Sequence, residues 1–225
     1  MTVLHLADEG EAADLAAFLS RLLHYDRAAA VRLQAAGTAL AVFGRPPSFE
    51  VLAIRTARLA KPYEDGLKVT LDVTVSAGEL LEALDLAAAT AVVPGAVTGP
   101  PWAGVLPPRS GWRAEPGLPD PEALRAMVGA AVAEFRARTE ELGPEGRTRA
   151  ELDRIGRDIW SRAVGSTRLP VRAVHAAQSL GFLRAADEAS VGLFSSGAWL
   201  RLRTPYGTVA VRRAGLGALD VSVSR

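Results

Sequence analysis

The side chains that could do chemistry in this 225-residue sequence are few: three histidines, no cysteine, and carboxylates scattered among arginines. The histidines are His5, His24 and His175, and no two stand four residues apart, the spacing that brings two imidazoles to one helix face around zinc. Without cysteine there is no disulfide, thiolate metal site, iron–sulfur cluster or cysteine nucleophile. His24, Tyr25 and Asp26 form a compact polar cluster in which His24 could serve as a general base. The same residues also read as a helix end, with a cation favoured at His24 and Asp26 capping a turn. Glu151 and Asp158, with Arg154 between them, point to local ion pairs on one helix rather than to a metal site. Glu140-Glu141 reads as a helix end and Asp187-Glu188 as a loop. There is no GxxxxGK[ST] and no GxSxG, and no GxGxxG follows a strand; Ser195-Ser196-Gly197 reads as a turn. The expectation is therefore no catalytic set, no metal and no cofactor, with a cofactor-free enzyme built on His24 or His175 as a third reading.

Two constellations carry more specific chemistry. TGPPWAGVLPPRSGW sets Trp102, Arg109 and Trp112 close together in a proline-stiffened loop. Indole faces accept cations, sugar rings or bases, and Arg109 could pair an anion. The alternative is that the indoles plug the gap between two halves of the molecule. PPWAGVLPP is not a clean PxxP ligand. The second constellation resembles a winged helix-turn-helix, with PVRAVHAAQSLGFL as recognition helix and WLRLRTPYGTVAVRR as wing. Arg172, His175 and Ser179 recur at spacings of three and four, with Gln178 near the edge of their face. Arg and Gln read base edges, and Arg201, Arg203, Arg212 and Arg213 could meet phosphates. Against this stand a long preceding helix and a turn, VGSTRL, longer than the motif uses. The bland alternative is three helices packed on a sheet under a solvated arginine surface.

These residues need elements to position them. Residues 2–6 read as a strand and 9–24 as a helix, with Leu15, Phe18, Leu19, Leu22 and Leu23 at helical spacing. AAAVRLQAAG and TALAVFG read as strands joined at Gly37-Thr38. FEVLAIRTARLA alternates imperfectly, whereas LKVTLDVTVSA puts Val69, Leu71, Val73 and Val75 on one face and is the cleanest period-two segment. Ser76 with Glu79 forms a capping box that opens the helix AGELLEALDLA. Residues 91–119 gather prolines and glycines around Trp102 and Trp112, and are expected to lie against the protein surface with the indoles as anchors. Asp120-Pro121 starts a helix bearing Leu124, Met127, Val128 and Phe135. Thr148 with Glu151 starts a second, lined by Leu152, Ile155, Ile159 and Trp160. Pro170 opens a third, closed by Gly181. GAWLRLR and TVAVRR form a hairpin, and ALDVSVS a last strand.

Hydrophobic residues make up 49% and charged residues 23%, ordinary for a globular protein, and the net charge of +1 implies no global attraction to nucleic acid. All but two of the 26 basic residues are arginine, the composition of a GC-rich genome. The N-terminus carries acids where a secretory signal would be basic, and no uncharged apolar run reaches bilayer length. A cytoplasmic protein without a membrane partner is expected.

AVFGRPPSFEVLAIRTARL, TGPPWAGVLPPRSGW, AELDRIGRDIWSR and WLRLRTPYG together resemble uncharacterised proteins of high-GC actinobacteria, over most of the chain. The resemblance implies no assigned activity. The β-α-β-β-β-β-α order of residues 1–88 is similar to one half of a TATA-binding-protein-like sheet, an order of elements that carries no function.

The expected fold class is α+β. An antiparallel sheet with one or two helices spans 1–90, a Pro/Gly/Trp crossover 91–118, and a helical lobe with a terminal hairpin 119–225. That hairpin is either a wing or an extension of the first sheet, and in the second case the chain is one domain. The expected function is a non-enzymatic binding or interaction protein using a groove between lobes, with Trp102, Arg109 and Trp112 at its edge. A sheet edge could pair with a second copy as a homodimer. The alternative is a DNA-binding regulator acting through Arg172, His175, Gln178 and the hairpin arginines.

Overall fold

Val31, Leu33 and Ala35 alternate with Arg32, Gln34 and Ala36, and this alternation lays down a strand with one apolar face. The computed structural model describes residues 2–184 and 191–213. Along the chain lie β1 (Val3–His5), α1 (Glu9–Tyr25), β2 (Ala30–Ala36), β3 (Ala39–Gly44), β4 (Leu52–Arg58), β5 (Thr70–Ser76), α2 (Ala77–Glu82), β6 (Leu84–Asp85), β7 (Thr90–Val92) and β8 (Arg113–Glu115). They are followed by α3 (Pro121–Glu141), α4 (Gly143–Gly146), α5 (Arg149–Trp160), α6 (Val171–Ser179), β9 (Gly192–Ser196), β10 (Trp199–Thr204) and β11 (Gly207–Arg212). Short 3-10 turns occupy Pro47–Phe49 and Pro101–Gly104. The protein is α+β, with antiparallel sheets, as expected.

The starts of α2, α3 and α5 follow the sequence signals, and α1 is capped in the same way. Asp8, Ser76, Asp120 and Thr148 each accept the backbone N–H three residues on, capping α1, α2, α3 and α5. Asp26 closes α1 and accepts from the Ala28 N–H, which is the turn-capping role expected of it.

Eight strands form one sheet in the order β5-β2-β3-β4-β11-β10-β9-β8, and β1-β7-β6 form a small second sheet. The pairing of β4 with β11 (Ile54 opposite Thr208, Ala53 opposite Val209, Leu52 opposite Ala210) joins the two halves of the chain. The hairpin is therefore an extension of the sheet. Both its strands are hydrogen-bonded to further strands, which removes the wing. The recognition helix is corrected as well: Val171, Ala173, Val174, Ala176 and Ala177 of α6 are buried, so the helix is a core element with little free face for a DNA groove. The helix predicted over AGELLEALDLA stops at Glu82, because Leu84 and Asp85 pair with β7 instead. The predicted strand ALDVSVS and the Asp187-Glu188 loop lie outside the described residues.

One sheet face carries the main core. Val31, Leu33, Val42, Leu202 and Val209 meet Leu15, Phe18 and Leu19 of α1, Leu124 and Val128 of α3, and Val174 and Ala177 of α6. Full burial of such side chains contributes about 1.5–3 kcal/mol each. The other face buries Phe43, Leu52, Ile54 and Ala210 under Trp102, Leu106 and Trp199. The crossover thus lies on the sheet, anchored by an indole as expected. Arg32 ties it down by donating to the Ala103 carbonyl while its fork holds Asp72 at 2.7 and 2.9 Å.

An aromatic and arginine-lined cleft

The residues that end α1, turn after β3 and face each other across α3, α5 and α6 enclose a cleft of about 910 Å³. Tyr25 comes from the last turn of α1 and Phe49 and Glu50 from the turn after β3. Phe135 comes from α3, Arg149, Asp153, Arg157 and Trp160 from α5, and Arg172 and His175 from α6. On α5 the lining positions recur every three or four residues, the repeat that keeps one helix face toward one space. Arg172 and His175 obey the same rule on α6.

The aromatic rings form a continuous wall. Tyr25 meets Phe49 edge-on at 5.2 Å, and Phe49 meets His175 edge-on at 5.1 Å. His175 stacks on Trp160 at 4.6 Å with planes 23° apart, and Trp160 leans on Phe135 at 6.2 Å. Such pairs add about 0.5–1.5 kcal/mol each beyond area burial. The wall faces an excess of positive charge. Arg149, Arg157 and Arg172 are opposed by Glu50 and Asp153 alone among the lining residues. The Arg172–Glu50 pair is long, 3.8 Å, and the Arg172 Nε is buried without a hydrogen-bond partner. Arg149 reaches Asp153 only at 3.9 Å and is solvated.

Burial pushes the His175 imidazole below its ordinary value, because desolvation disfavours the charged ring. It therefore serves the wall as a neutral aromatic surface near pH 7. An unfolded chain takes up a proton at His175 below pH about 6.5 that the folded protein resists. This contribution to stability is present above that pH and is lost as pH falls toward the folded-state value. His175→Phe keeps a ring and removes the titration. The stability difference between the variant and the parent should move in the variant's favour between about pH 7 and about pH 5 in urea melts. A difference independent of pH would show that the imidazole is not desolvated.

The sequence-predicted residues divide between two faces of the sheet. Arg172 and His175 line the cleft, while Gln178 is exposed and lies outside it. Trp102, Arg109 and Trp112 do not edge the cleft. Trp102 packs on the opposite sheet face, and Arg109 is exposed near Asp72. The Asp72 carboxyl is held below its usual value chiefly by the Arg32 hydrogen bond, with Arg109 as a minor contributor. The Trp112 indole N–H donates to the Pro108 carbonyl at 2.9 Å, and its ring lies under the Arg201 guanidinium at 4.3 Å. Arg203 and Arg212 are exposed, and Arg213 donates to the Gly197 carbonyl. His24 is exposed at its helix end against Tyr25 and does not line the cleft. Glu151 pairs with Arg154 at 2.8 Å, the local ion pair the spacing suggested, whereas Asp158 pairs with Arg162 beyond the helix end and with Arg138 of α3 rather than with Arg154. Sequence reasoning missed Phe49, Phe135 and Trp160 as cleft residues. Trp160 and Phe135 sat in apolar stripes and looked like core.

Fold and cleft together define an α+β protein with a ring-walled, arginine-rimmed recess. Among the described residues no group of three His, Asp or Glu is arranged to hold a metal ion, and no helix is long and apolar enough to cross a membrane. Residues 1–104 match the family model described as Domain of unknown function (DUF8010), and residues 107–216 match Domain of unknown function (DUF8185). No curated protein matches the chain. No catalytic or DNA-binding family is indicated. The boundary between the two matches falls inside the crossover, and β4 from the first segment pairs with β11 from the second.

Proposed function

We propose that the chain works as one unit, a cytoplasmic and non-enzymatic binding protein whose cleft takes a small, planar, negatively charged molecule. The observation that carries this reading is the wall Phe49–His175–Trp160–Phe135 facing the same space as Arg149, Arg157 and Arg172. A flat ring system buries against the wall, and its carboxylate or sulfonate reaches Arg172, whose nearest acid is too distant for a good hydrogen bond. The neutral His175 adds surface without adding charge.

The test is thermal melting and calorimetry with 2-naphthoate, with neutral 2-naphthylmethanol and non-aromatic cyclohexanecarboxylate as controls. At about 100 times its Kd the binding ligand adds about 2.7 kcal/mol, a midpoint rise of roughly 5–10 °C for a chain of this size. Arg172→Gln should weaken naphthoate about 10-fold or more, the value of one charge-assisted hydrogen bond. Gly156→Leu fills the cleft without touching a charge. A Cβ there meets Trp160 and Phe135 at ordinary distances of 3.5 and 3.8 Å, so a side chain can leave this position without displacing either ring, and an unchanged far-UV circular dichroism spectrum is the check on the fold. It should bind no naphthoate. The reading fails if naphthoate and both controls are equivalent, or if the filled variant binds as the parent does.

A further inference from the structure

The opposite face of the sheet holds a cation for which the described residues offer no acid partner. Arg201 lies on β10, between Ala210 of β11 and Phe194 of β9. It is half-buried, its Nε is buried with no hydrogen-bond partner, and its guanidinium lies over the Trp112 ring. Arg203, two residues on, shares this face, between Thr208 and Gly192, with its guanidinium 5.5 Å from the centre of the Phe194 ring. In register around them stand Trp199, Thr208, Ala210, Arg212, Gly192, Phe194, Ser196 and Ala114, with no carboxylate among them. Burial and the charge of Arg203 both press Arg201 toward losing its proton, and no carboxylate among the described residues counteracts them. Two guanidinium groups on one strand face, without an acid among the described residues, make an arrangement that an external anion would complete.

We propose that this strip is a docking surface for an extended acidic peptide segment of a partner protein, whose alternate carboxylates pair with Arg201 and Arg203. Charge complementarity selects the sign. The spacing selects the form, because residues two apart on β10 project about 6.6 Å apart, the same repeat as alternate side chains of an extended partner chain. Bidentate guanidinium–carboxylate pairing suits this geometry. A nucleic-acid strand would need open ring faces for its bases, and here the Trp112 and Phe194 rings already carry a guanidinium on one face.

The experiment uses the full chain and a fluorescein-labelled octapeptide of alternating threonine and glutamate. The controls are the threonine–glutamine peptide and a labelled eight-nucleotide oligothymidylate. Anisotropy should show the acidic peptide binding more tightly than either control, with an affinity that falls as salt rises. Arg203 is exposed, so Arg203→Gln leaves the fold intact and should weaken the peptide about 10-fold. Arg201→Lys keeps the charge but loses the planar fork and should also weaken it, with an unchanged melting curve. Gly156→Leu should leave the peptide affinity unchanged, which separates this surface from the cleft. No binding of the acidic peptide, oligothymidylate binding at least as tightly, or an Arg203→Gln variant that binds as the parent does would each overturn the proposal.

Discussion

Arg55→Ala is expected to lower the stability of the protein by about 3 kcal/mol, a fall of roughly 6–12 °C in melting midpoint for a chain of this size. Arg55 sits on β4 opposite Val42, on the sheet face that carries the main core, and is 7% exposed. One guanidinium nitrogen donates to the Tyr206 carbonyl at 2.7 Å. The other reaches Glu11 at 3.2 Å and Asp14 at 3.1 Å on α1. A single side chain therefore ties the first helix, a central strand and the turn between β10 and β11. Its neighbours extend the network: Arg58 also holds Glu11, Arg184 also holds Asp14, and Arg184 lies over the Tyr206 ring at 3.7 Å. Truncation leaves the Tyr206 carbonyl without its donor and Glu11 with only a solvated partner. Because Arg58 and Arg184 still supply one cation to each acid, the cost belongs at the low end of the range for broken buried pairs, about 3–5 kcal/mol. Arg55→Met restores volume but not pairing and should recover only part of the loss. If it is as stable as the parent, the network contributes no net stability, an outcome known for other buried ion pairs.

The same strand shows where the sequence was legible and where it was not. Leu52, Ala53, Ile54 and Arg55 are all buried, because helices cover one face and the crossover covers the other. A strand buried on both faces loses its alternation, which is why FEVLAIRTARLA alternates imperfectly. β5 lies at the sheet edge, and its period-two pattern stayed clean even though Val69 before it is 65% exposed. Local signals such as the capping residues Ser76, Asp120 and Thr148 work at short range and were readable. The joining of β4 to β11 is decided by pairing between segments more than 150 residues apart, and no local spacing encodes it. The cleft failed to appear for the same reason. Tyr25, Phe49, Phe135, Trp160 and His175 come from five separate segments, and their common feature is a position in space. The polar spacing of Arg172 and His175 was real, but the face it marks looks into the cleft and not toward a DNA groove.

Gly207→Ala should cost about 2–3 kcal/mol, within the usual range for overpacking a core, although it adds a single methyl group. A Cβ at this position would stand 2.5 Å from two carbons of the Phe182 ring. That ring cannot give way easily. It is 2% exposed and packs against Phe18 of α1 at 5.4 Å. Gly207 is not among the residues with positive φ, so the backbone accepts alanine and the cost is steric. Phe182→Ala alone should cost about 3–5 kcal/mol, from lost burial and the cavity left behind. In the double variant the new methyl enters that cavity. The combined loss should then fall short of the sum by at least about 1 kcal/mol, which urea melts of the four proteins would measure. Additive losses would mean that the ring and the strand do not share one packed space. The coupling also bears on the domain question, because Phe18 belongs to the segment matching the first family and Phe182 and Gly207 to the segment matching the second. A cavity opened by Phe182→Ala borders both segments, so the variant should still unfold in a single transition, at lower urea, in both far-UV circular dichroism and tryptophan fluorescence. Two separated transitions would show that the segments hold their cores independently, despite the strand pairing between them.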